Sequence, residues 1–327
     1  MALAPVSVLR AGDFSSDAKG TTGAAFLNMG MGARAVGMGG AYTAVAADAS
    51  AVSWNPAGLV RAPEFSAMFM HASYLADISF DYLSFARNSG PVAFGGALAY
   101  MNGGSVEHMD VSGNNLGNYQ PRNFAGSLSV AADLEAIGAE KGKFSAGITG
   151  KYISSRLIEK ASALAFDAGL AARTSVGGRV LRLAFVAQNL GAGMKFDKES
   201  DPLPMTFKAG GALSLAKGWL VSADVVAPQG NAPYVCAGAE YTAYNEGGNR
   251  VLLRMGASSL TLGDISGLNG VSAGLGAVLS KVAVDYAVLP FGELGLAHRL
   301  SFSMKWGGGN GAESRGRSTM RVASNFR

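Results

Sequence analysis

One cysteine, Cys236, is all that the 327-residue chain contains. Neither an internal disulfide framework nor a cysteine-based zinc site is therefore open to it. Charge is scarce as well: Asp, Glu, Lys and Arg make up 15 % of the residues, against roughly 25 % in soluble proteins. Only three histidines occur, His71, His108 and His298, and they are scattered. No HExxH, GxSxG or Walker A string is present, so the common local marks of metalloproteases, hydrolases and NTPases are missing. There is no run of about 18 uncharged apolar residues, which argues against a transmembrane helix. The opening MALAPVSVLRAGDF lacks the apolar stretch of a secretory leader. That leaves two expectations open, a cytoplasmic protein or a processed mature form.

What is present is apolar and small. Hydrophobic residues reach 49 % and the 46 glycines are spread along the chain, so disorder is not expected. The net charge of +4 is modest, and part of it lies in the C-terminal stretch, where Arg315, Arg317, Arg321 and Arg327 oppose only Glu313. A frayed polar end is the plain reading of this tail, with anionic lipid or nucleic acid as the alternative contacts. Nucleic acid is not an expected partner of the chain as a whole.

From Glu64 onward the dominant hydrophobic period is two. In KFSAGITGKYI, Phe144, Ala146, Ile148 and Tyr152 alternate with Lys143, Ser145, Thr149 and Lys151. In AHRLSFSMKW, His298, Leu300, Phe302, Met304 and Trp306 oppose Arg299, Ser301, Ser303 and Lys305. Such alternation marks strands with one apolar and one polar face. Fourteen segments of this kind are predicted, near 64–75, 78–88, 91–101, 122–134, 142–154, 162–174, 179–189, 203–215, 218–227, 233–243, 250–258, 270–279, 281–288 and 297–306. Most match the roughly 9–11 residues of a tilted membrane-spanning strand. An even count suits an up-and-down outer-membrane barrel. Connections after even strands read short and those after odd strands include the longest, 101–121 and 190–202. Outer-membrane barrels have short periplasmic turns and long external loops, which places both termini on the periplasmic side. A large soluble β-protein is the competing reading.

Charges on the lipid face of a barrel cost roughly 2–4 kcal/mol each at mid-membrane depth. The inward set is therefore expected to include Asp167, Arg182, Lys208, Asp224, Arg254, Asp285 and Arg299, with Lys143 and Lys305. Tyr100, Tyr152, Trp219 and Trp306 fall near strand ends, where interfacial girdles form. A fourteen-stranded lumen lined with small residues leaves a hole that needs an occupant. Residues 1–63 precede the first strand and lack its alternation, so they are expected to form an N-terminal periplasmic and plug segment, with residues 20–60 as the lumenal plug, 64–306 the barrel and 307–327 a basic tail. Arg34, Asp48, Trp54, Asn55 and Pro56 are the plug candidates, Arg34 and Asp48 to pair with charges of the inner wall such as Asp167, Asp224 or Asp285. The string NPAGL (55–59) is expected to be the hinge from plug to wall, and AYTAVAADASAV (41–52) a short helix.

Two motifs compete with this reading. Gly30-Met-Gly32-Ala-Arg-Ala35 fits the dinucleotide fingerprint G-x-G-x-x-A. A true fingerprint follows a strand and opens a helix in a βαβ unit, and no such alternation follows. His108, Asp110, Asn114 and Asn115 share one long loop without EF-hand spacing, so a hydrated loop is expected and no metal. No acid, base and nucleophile assemble from the sequence, and no cofactor is expected beyond lipid or detergent in the lumen.

The string FLNMGMGARAVGMGGAYTAVAADASAVSWNPAGL (26–59) resembles the N-terminal region of PorV/PorQ-type outer-membrane proteins. Its ARA…GMGGA…A…DA…NPAGL skeleton is also similar to that of FadL-type hydrophobic-compound transporters. Further matches run through AQNLG (187–191), DPLPMTFKAGGAL (201–213) and DYAVLPFGELGLAHRLSFSMKW (285–306). The resemblance implies an all-β, fourteen-stranded FadL-like barrel in the bacterial outer membrane, with an N-terminal segment in the lumen. For PorV-like relatives it implies a non-catalytic role in type IX secretion or surface attachment, with a larger translocon or attachment complex and exported cargo as partners. For FadL-like relatives it implies passage of hydrophobic small molecules. The secretion role is the leading expectation, transport the alternative, and a barrel enzyme the third.

Overall fold

The period-two segments become strands whose large apolar side chains point away from the molecular centre. The computed structural model describes residues 14–15, 20–74, 77–140, 142–196, 199–261 and 268–307. The strands of the first half are β1 (Phe65–Ser73), β2 (Ser79–Asn88), β3 (Val92–Asn102), β4 (Val106–Met109), β5 (Asn115–Tyr119), β6 (Arg122–Asp133), β7 (Phe144–Arg156), β8 (Lys160–Val176) and β9 (Arg179–Gly191). Those of the second half are β10 (Met194–Lys195), β11 (Ser200–Asp201), β12 (Thr206–Ser214), β13 (Trp219–Pro228), β14 (Tyr234–Glu246), β15 (Asn249–Ser258), β16 (Val271–Leu279), β17 (Val282–Pro290) and β18 (Leu296–Trp306). Fourteen of them close into one antiparallel barrel, sealed where β1 pairs with β18 from Phe65↔Trp306 to Ser73↔His298. The remaining four form two short hairpins, β4–β5 and β10–β11, that the sequence pattern did not reveal.

Burial alternates along each strand, and its sense is inverted relative to a soluble protein. Leu128 and Leu164 are 72 % and 63 % exposed, whereas Asp167 and Arg254 are 1 % and 4 % exposed. An outer wall of Leu, Phe and Val around an inner face of Ala, Gly, Ser and charge suits a hydrocarbon surround. Rings gather at the rims: Phe65 stacks on Trp306 at 5.7 Å and Trp219 lies tilted against Tyr241 at 4.7 Å, both at the short-turn end. Such rings suit a membrane interface.

The fourteen expected segments match the fourteen barrel strands, with end differences that have local causes. The segment expected from 203 pairs only from Thr206, because Pro202 and Pro204 have no amide to give a ladder. Between β8 and β9 the register shifts at Phe166/Ala168, and Asn189 adopts φ +59°. This bulge sets Asp167 against both Gln188 and Asn189 and turns the two side chains to the lumenal side, while Ala187, opposite Ala168 and Phe207, keeps the outer phase that alternation gives it. Connections 177–178, 247–248 and 280–281 are two-residue turns, and 103–121, 192–205 and 259–270 are the long ones. One connection breaks the expected parity: 134–143, at the short-turn end, carries a 3-10 turn (Leu134–Ile137).

Residues 20–62 run through the lumen from one mouth to the other. Gly23 donates to the Pro202 carbonyl in a long connection, and Asn88, at the short-turn end of β2, donates to Val60 and Ala62. The described part of the N-terminal segment thus starts at the long-connection end, although the barrel's first and last strands, β1 and β18, start and finish at the other. Its regular pieces are brief: helices α1 (Ala33–Gly37) and α2 (Ala51–Trp54), and 3-10 turns Ala25–Asn28 and Pro56–Arg61. The expected helix over 41–52 is confined to α2, preceded by turns. The basic tail beyond Gly307 and residues 1–13 lie outside the described residues.

Candidate functional site

A chain segment with so little regular structure has backbone donors and acceptors to satisfy, and the inner wall supplies the partners. The Ser301 hydroxyl accepts from the Ala33 amide at 2.7 Å and Ser272 from Gly39 at 3.1 Å. Asp224 accepts from the amides of Tyr42 and Thr43 at 3.0 and 2.9 Å. Hydroxyls of Ser222 and Ser145 donate to the carbonyls of Ala41 and Ala57 at 2.7 and 2.9 Å. Gln188 donates to the Ser53 carbonyl at 2.7 Å, and Arg299 to that of Gly30.

Glycines on both partners let the backbones meet. A Cβ on wall residue Gly256 would collide with the Gly39 nitrogen, and one on Gly147 would stand 2.5 Å from the Pro56 carbonyl carbon. On the plug side, Gly39 has φ +65° and a Cβ there would fall 2.5 Å from the Ala257 nitrogen. Gly37 sits against Gly274, its Cβ position 3.2 Å from that Cα. Gly37 and Gly39 of GMGARAVGMGG therefore serve packing against β16 and β15. Among the described residues no strand precedes α1, which is five residues long and packs on β15 to β18; this is not the βαβ setting of a dinucleotide site.

Charges link plug and wall in one buried chain. Arg34 grips Glu240 with two of its three nitrogens, Nε and Nη2, at 2.8 and 2.7 Å. Glu240 also accepts from Arg254 at 2.7 Å, and Arg254 reaches Asp285 at 2.7 Å. The partner of Arg34 is thus Glu240, an acid outside the set proposed from the sequence, while Asp167, Asp224 and Asp285 have other partners. Asp167 pairs with Lys151 at 2.8 Å and accepts from the Asn189 amide in the bulge at 2.8 Å. Asp48 lies 3.8 Å from Lys305 and caps Ser50. Arg182 is half-buried beside Arg173, its cross-strand neighbour. Asn55 is buried, caps Ala57 and donates to the Leu170 carbonyl at 3.2 Å, with Pro56 following at the first helical position. NPAGL is therefore an anchored turn against β7 and β8, and the expected hinge is not there.

Beside the plug lies a cavity of about 340 Å³. Met29, Met31, Val36, Trp54, Tyr82 and Val226 give it an apolar lining, and Tyr74, Leu260 and Phe291 frame it among the long connections. Its charged lining residues are all cations, Lys151, Lys208 and Arg299. Lys151 is held by Asp167, whereas the Lys208 ammonium lies 4.9 Å from the Trp54 ring centre with no hydrogen bond or ion pair among the described residues. On the far side of the wall runs an apolar groove of about 610 Å³ floored by Gly96, Gly126 and Gly150. Ala97, Ser127 and Lys151 line both spaces, so the partition is one strand thick with short side chains. The ladder there, Ala97↔Ser127 between β3 and β6, is unbroken.

Sequence reasoning passed over Glu240 and left Lys151 and Gln188 on the polar strand face without a role in the site. Their signal was the same inward phase as the charges that were found, Glu240 two residues from Gly238 and four from Cys236. Among the described residues no group of three or more His, Cys, Asp or Glu side chains converges as a metal site. Asp110 instead accepts from the Ser112 and Asn114 amides in an exposed turn.

The model of an uncharacterised protein family, UPF0164, matches residues 3–179. No curated protein matches the sequence. Among solved structures, the toluene transporter TbuX of Ralstonia pickettii superposes with a TM-score of 0.58 at 15 % identity, covering 85 % of this chain and 99 % of that one. The toluene transporter TodX of Pseudomonas putida gives 0.54 at 12 % identity, covering 81 % and 97 %. A monoaromatic hydrocarbon channel, CymD, gives 0.54 at 12 % identity, covering 85 % and 98 %. These are FadL-like outer-membrane barrels, and at such identities the likeness is one of fold.

Proposed function

The chain belongs to the uncharacterised protein family UPF0164, and on that footing we propose that it is a non-catalytic outer-membrane channel for hydrophobic small molecules. Ligand enters the cavity from the long-connection end and leaves sideways through the wall, because the plug blocks the straight path. The observation that carries this reading is the pair of apolar spaces, one lumenal and one lipid-facing, separated only by Ala97, Ser127 and Lys151. Structures of similar fold that transport toluene or conduct monoaromatic hydrocarbons support it. Lys208, which makes no direct ion pair among the described residues and lies over the Trp54 ring, suits a ligand with a polar or acidic head, since a buried ammonium gains from a hydrogen-bond partner.

The ladder is closed at this partition, so release needs a local opening between β3 and β6. Secretion or attachment work with a translocon and cargo, the role of PorV-like proteins, draws on residues 26–59. Those residues are accounted for by seating the plug, and no feature among the described residues favours that role over transport.

The test is a cross-strand lock. Ala97→Cys with Ser127→Cys, in a Cys236→Ser background, joins directly opposed residues whose spacing suits a disulfide. Oxidised protein is expected to bind hydrophobic ligand, read by fluorescence against a Trp54→Phe control, yet to lose uptake into cells or vesicles, with recovery on reduction. Uptake unaffected by the lock would refute lateral release. Absence of any ligand binding in the reduced protein would refute transport itself.

A further inference from the structure

Ahead of the plug stands one aromatic side chain, Phe14. Its ring packs on Phe207 of β12, the centroids 6.3 Å apart, and Phe207 in turn stacks on Phe185 of β9 at 6.4 Å. Aromatic pairs favour spacings of roughly 4.5–7 Å. Phe207 is the second residue of β12, at the long-connection end, and the next residue, Lys208, lines the lumenal cavity. Side chains alternate along a strand, so Phe207 points outward. Phe185 agrees: it is 46 % exposed and stands opposite Leu170, 53 % exposed, on the outer face of β8.

By Gly23 the chain is inside. Gly23 donates to the Pro202 carbonyl at 2.9 Å, and a Cβ there would lie 3.6 Å from that of buried Met194. Phe26 is 3 % exposed, in the core that Met194 and Leu203 share. The stretch from Phe14 to Gly23 reaches about 30 Å when fully extended, ample for a wall one sheet thick. The β9–β12 ladder is continuous from Thr206↔Gln188 to Leu213↔Leu181, so the crossing runs over the rim and not between the strands. In sequence the ring has polar neighbours on both sides, Asp13 before it and Ser15, Ser16 and Asp17 after it. One ring among polar groups fits the boundary between headgroups and acyl chains.

We propose that the chain crosses the rim above β12 and that Phe14, docked on Phe207 and Phe185, anchors it in the surrounding leaflet at the long-connection mouth. The partner is lipid, at the level where acyl chains meet headgroups. Phe185 and Val225, 46 % and 54 % exposed, continue the hydrocarbon-facing wall below the ring, and the anchor extends that surface. The plug is then held at both mouths, by Asn88 at one and by a lipid-seated ring at the other. Neither Phe14 nor Phe207 lines the cavity, so the anchor does not depend on the transport reading.

The experiment labels Ser15→Cys with bimane in a Cys236→Ser background, which puts a fluorophore beside Phe14 and leaves the ring in place. The full chain is placed in nanodiscs of phosphatidylcholine brominated on the acyl chains. Quenching is compared with that of labels at Ala209→Cys, on the outer wall, and Ser258→Cys, beside the cavity. The label at position 15 is expected to be quenched within about twofold of the outer-wall label and well above the cavity label. Phe14→Ala and Phe207→Ala are each expected to lower the ratio of anchored to free chain about tenfold, the effect of exposing one such ring, and to open the label to iodide in the water. Lipid quenching at position 15 no greater than at position 258 overturns the proposal, and so does quenching that neither variant changes. Phe14 lies outside every strand, so Phe14→Ala keeps the test readable if Phe207→Ala weakens β12.

Discussion

Glu240→Gln isolates the latch between plug and wall. The change keeps the volume of the side chain and removes the one negative charge that serves two arginines, Arg34 and Arg254. Arg254 has a fully buried side chain and retains Asp285, while the Arg34 side chain is 29 % exposed and is eased by solvent. Removing one member of a buried pair costs about 3–5 kcal/mol; the retained Asp285 contact and the partial exposure of Arg34 argue for the lower end, about 3 kcal/mol. If that loss falls on the docked plug, the population of open plug rises on the order of a hundredfold. Trypsin reads this directly, since Arg34 and Arg61 are cleavage sites only when the segment leaves the lumen. With heat-modifiable gel migration showing an intact barrel, the cleavage rate of 20–62 is expected to rise by one to two orders of magnitude. Arg34→Ala is expected to give a smaller rise, and the double variant less than the product of the two, since the pair is coupled. A Glu240→Gln rate within threefold of wild type would show that Arg34–Glu240 does not hold the plug.

Other substitutions probe the remaining contacts. Gly256→Ala puts a methyl group into the Gly39 backbone and is expected to cost about 1–3 kcal/mol in the same proteolysis assay. Gly211→Ala, where a Cβ finds only ordinary contact, serves as control and is expected to change nothing. Asp48 gives a pH test. Burial acts to raise its pKa, but Lys305, Ser50 and Arg34 outweigh burial and hold it below the ordinary carboxylate value. A lowered folded-state pKa makes the contribution complete above the unfolded value and lost as pH falls below about 4. Plug protection is therefore expected to decline in that acid range in wild type and to lose this part of its pH dependence in Asp48→Asn, measured by protease resistance with an acid-active enzyme.

Much of the wall was legible because its physics is local. A strand between lipid and a lined lumen repeats every two residues, so Leu128 and Leu164 declare the outside and Asp167 and Arg254 the inside without tertiary knowledge. Proline explains the late start of β12, and the Asp167 bulge, with Asn189 at positive φ, left no mark that separates it from ordinary alternation. The plug was harder. Its residues 20–62 answer to partners two hundred positions away, such as Arg34 to Glu240 and Tyr42 to Asp224, and no periodicity encodes those distances. Glu240 was in phase with its strand and still passed over, because one acid among CAGAEYTAYNE looks no different from a rim charge. NPAGL read as a hinge from its Asn-Pro step; burial of Asn55 and the close seats at Gly147 and Gly169 made it an anchor.

The tether between plug and wall gives the lumen a mechanical polarity. Only residues 62–64 separate the last plug turn from β1, about 10 Å of chain at full stretch, and Asn88 pins that stretch by two hydrogen bonds at 2.8 and 2.9 Å. Tension from the long-connection mouth peels the segment from residue 20 inward, contact by contact, and meets this short leash last, where it loads the β1–β18 seam. Tension from the opposite mouth peels the anchored turn away from β7 and β8 first and then draws the remaining forty-odd residues after it. The segment can therefore leave the lumen completely only toward the short-turn side, because the leash holds its last turn at that mouth.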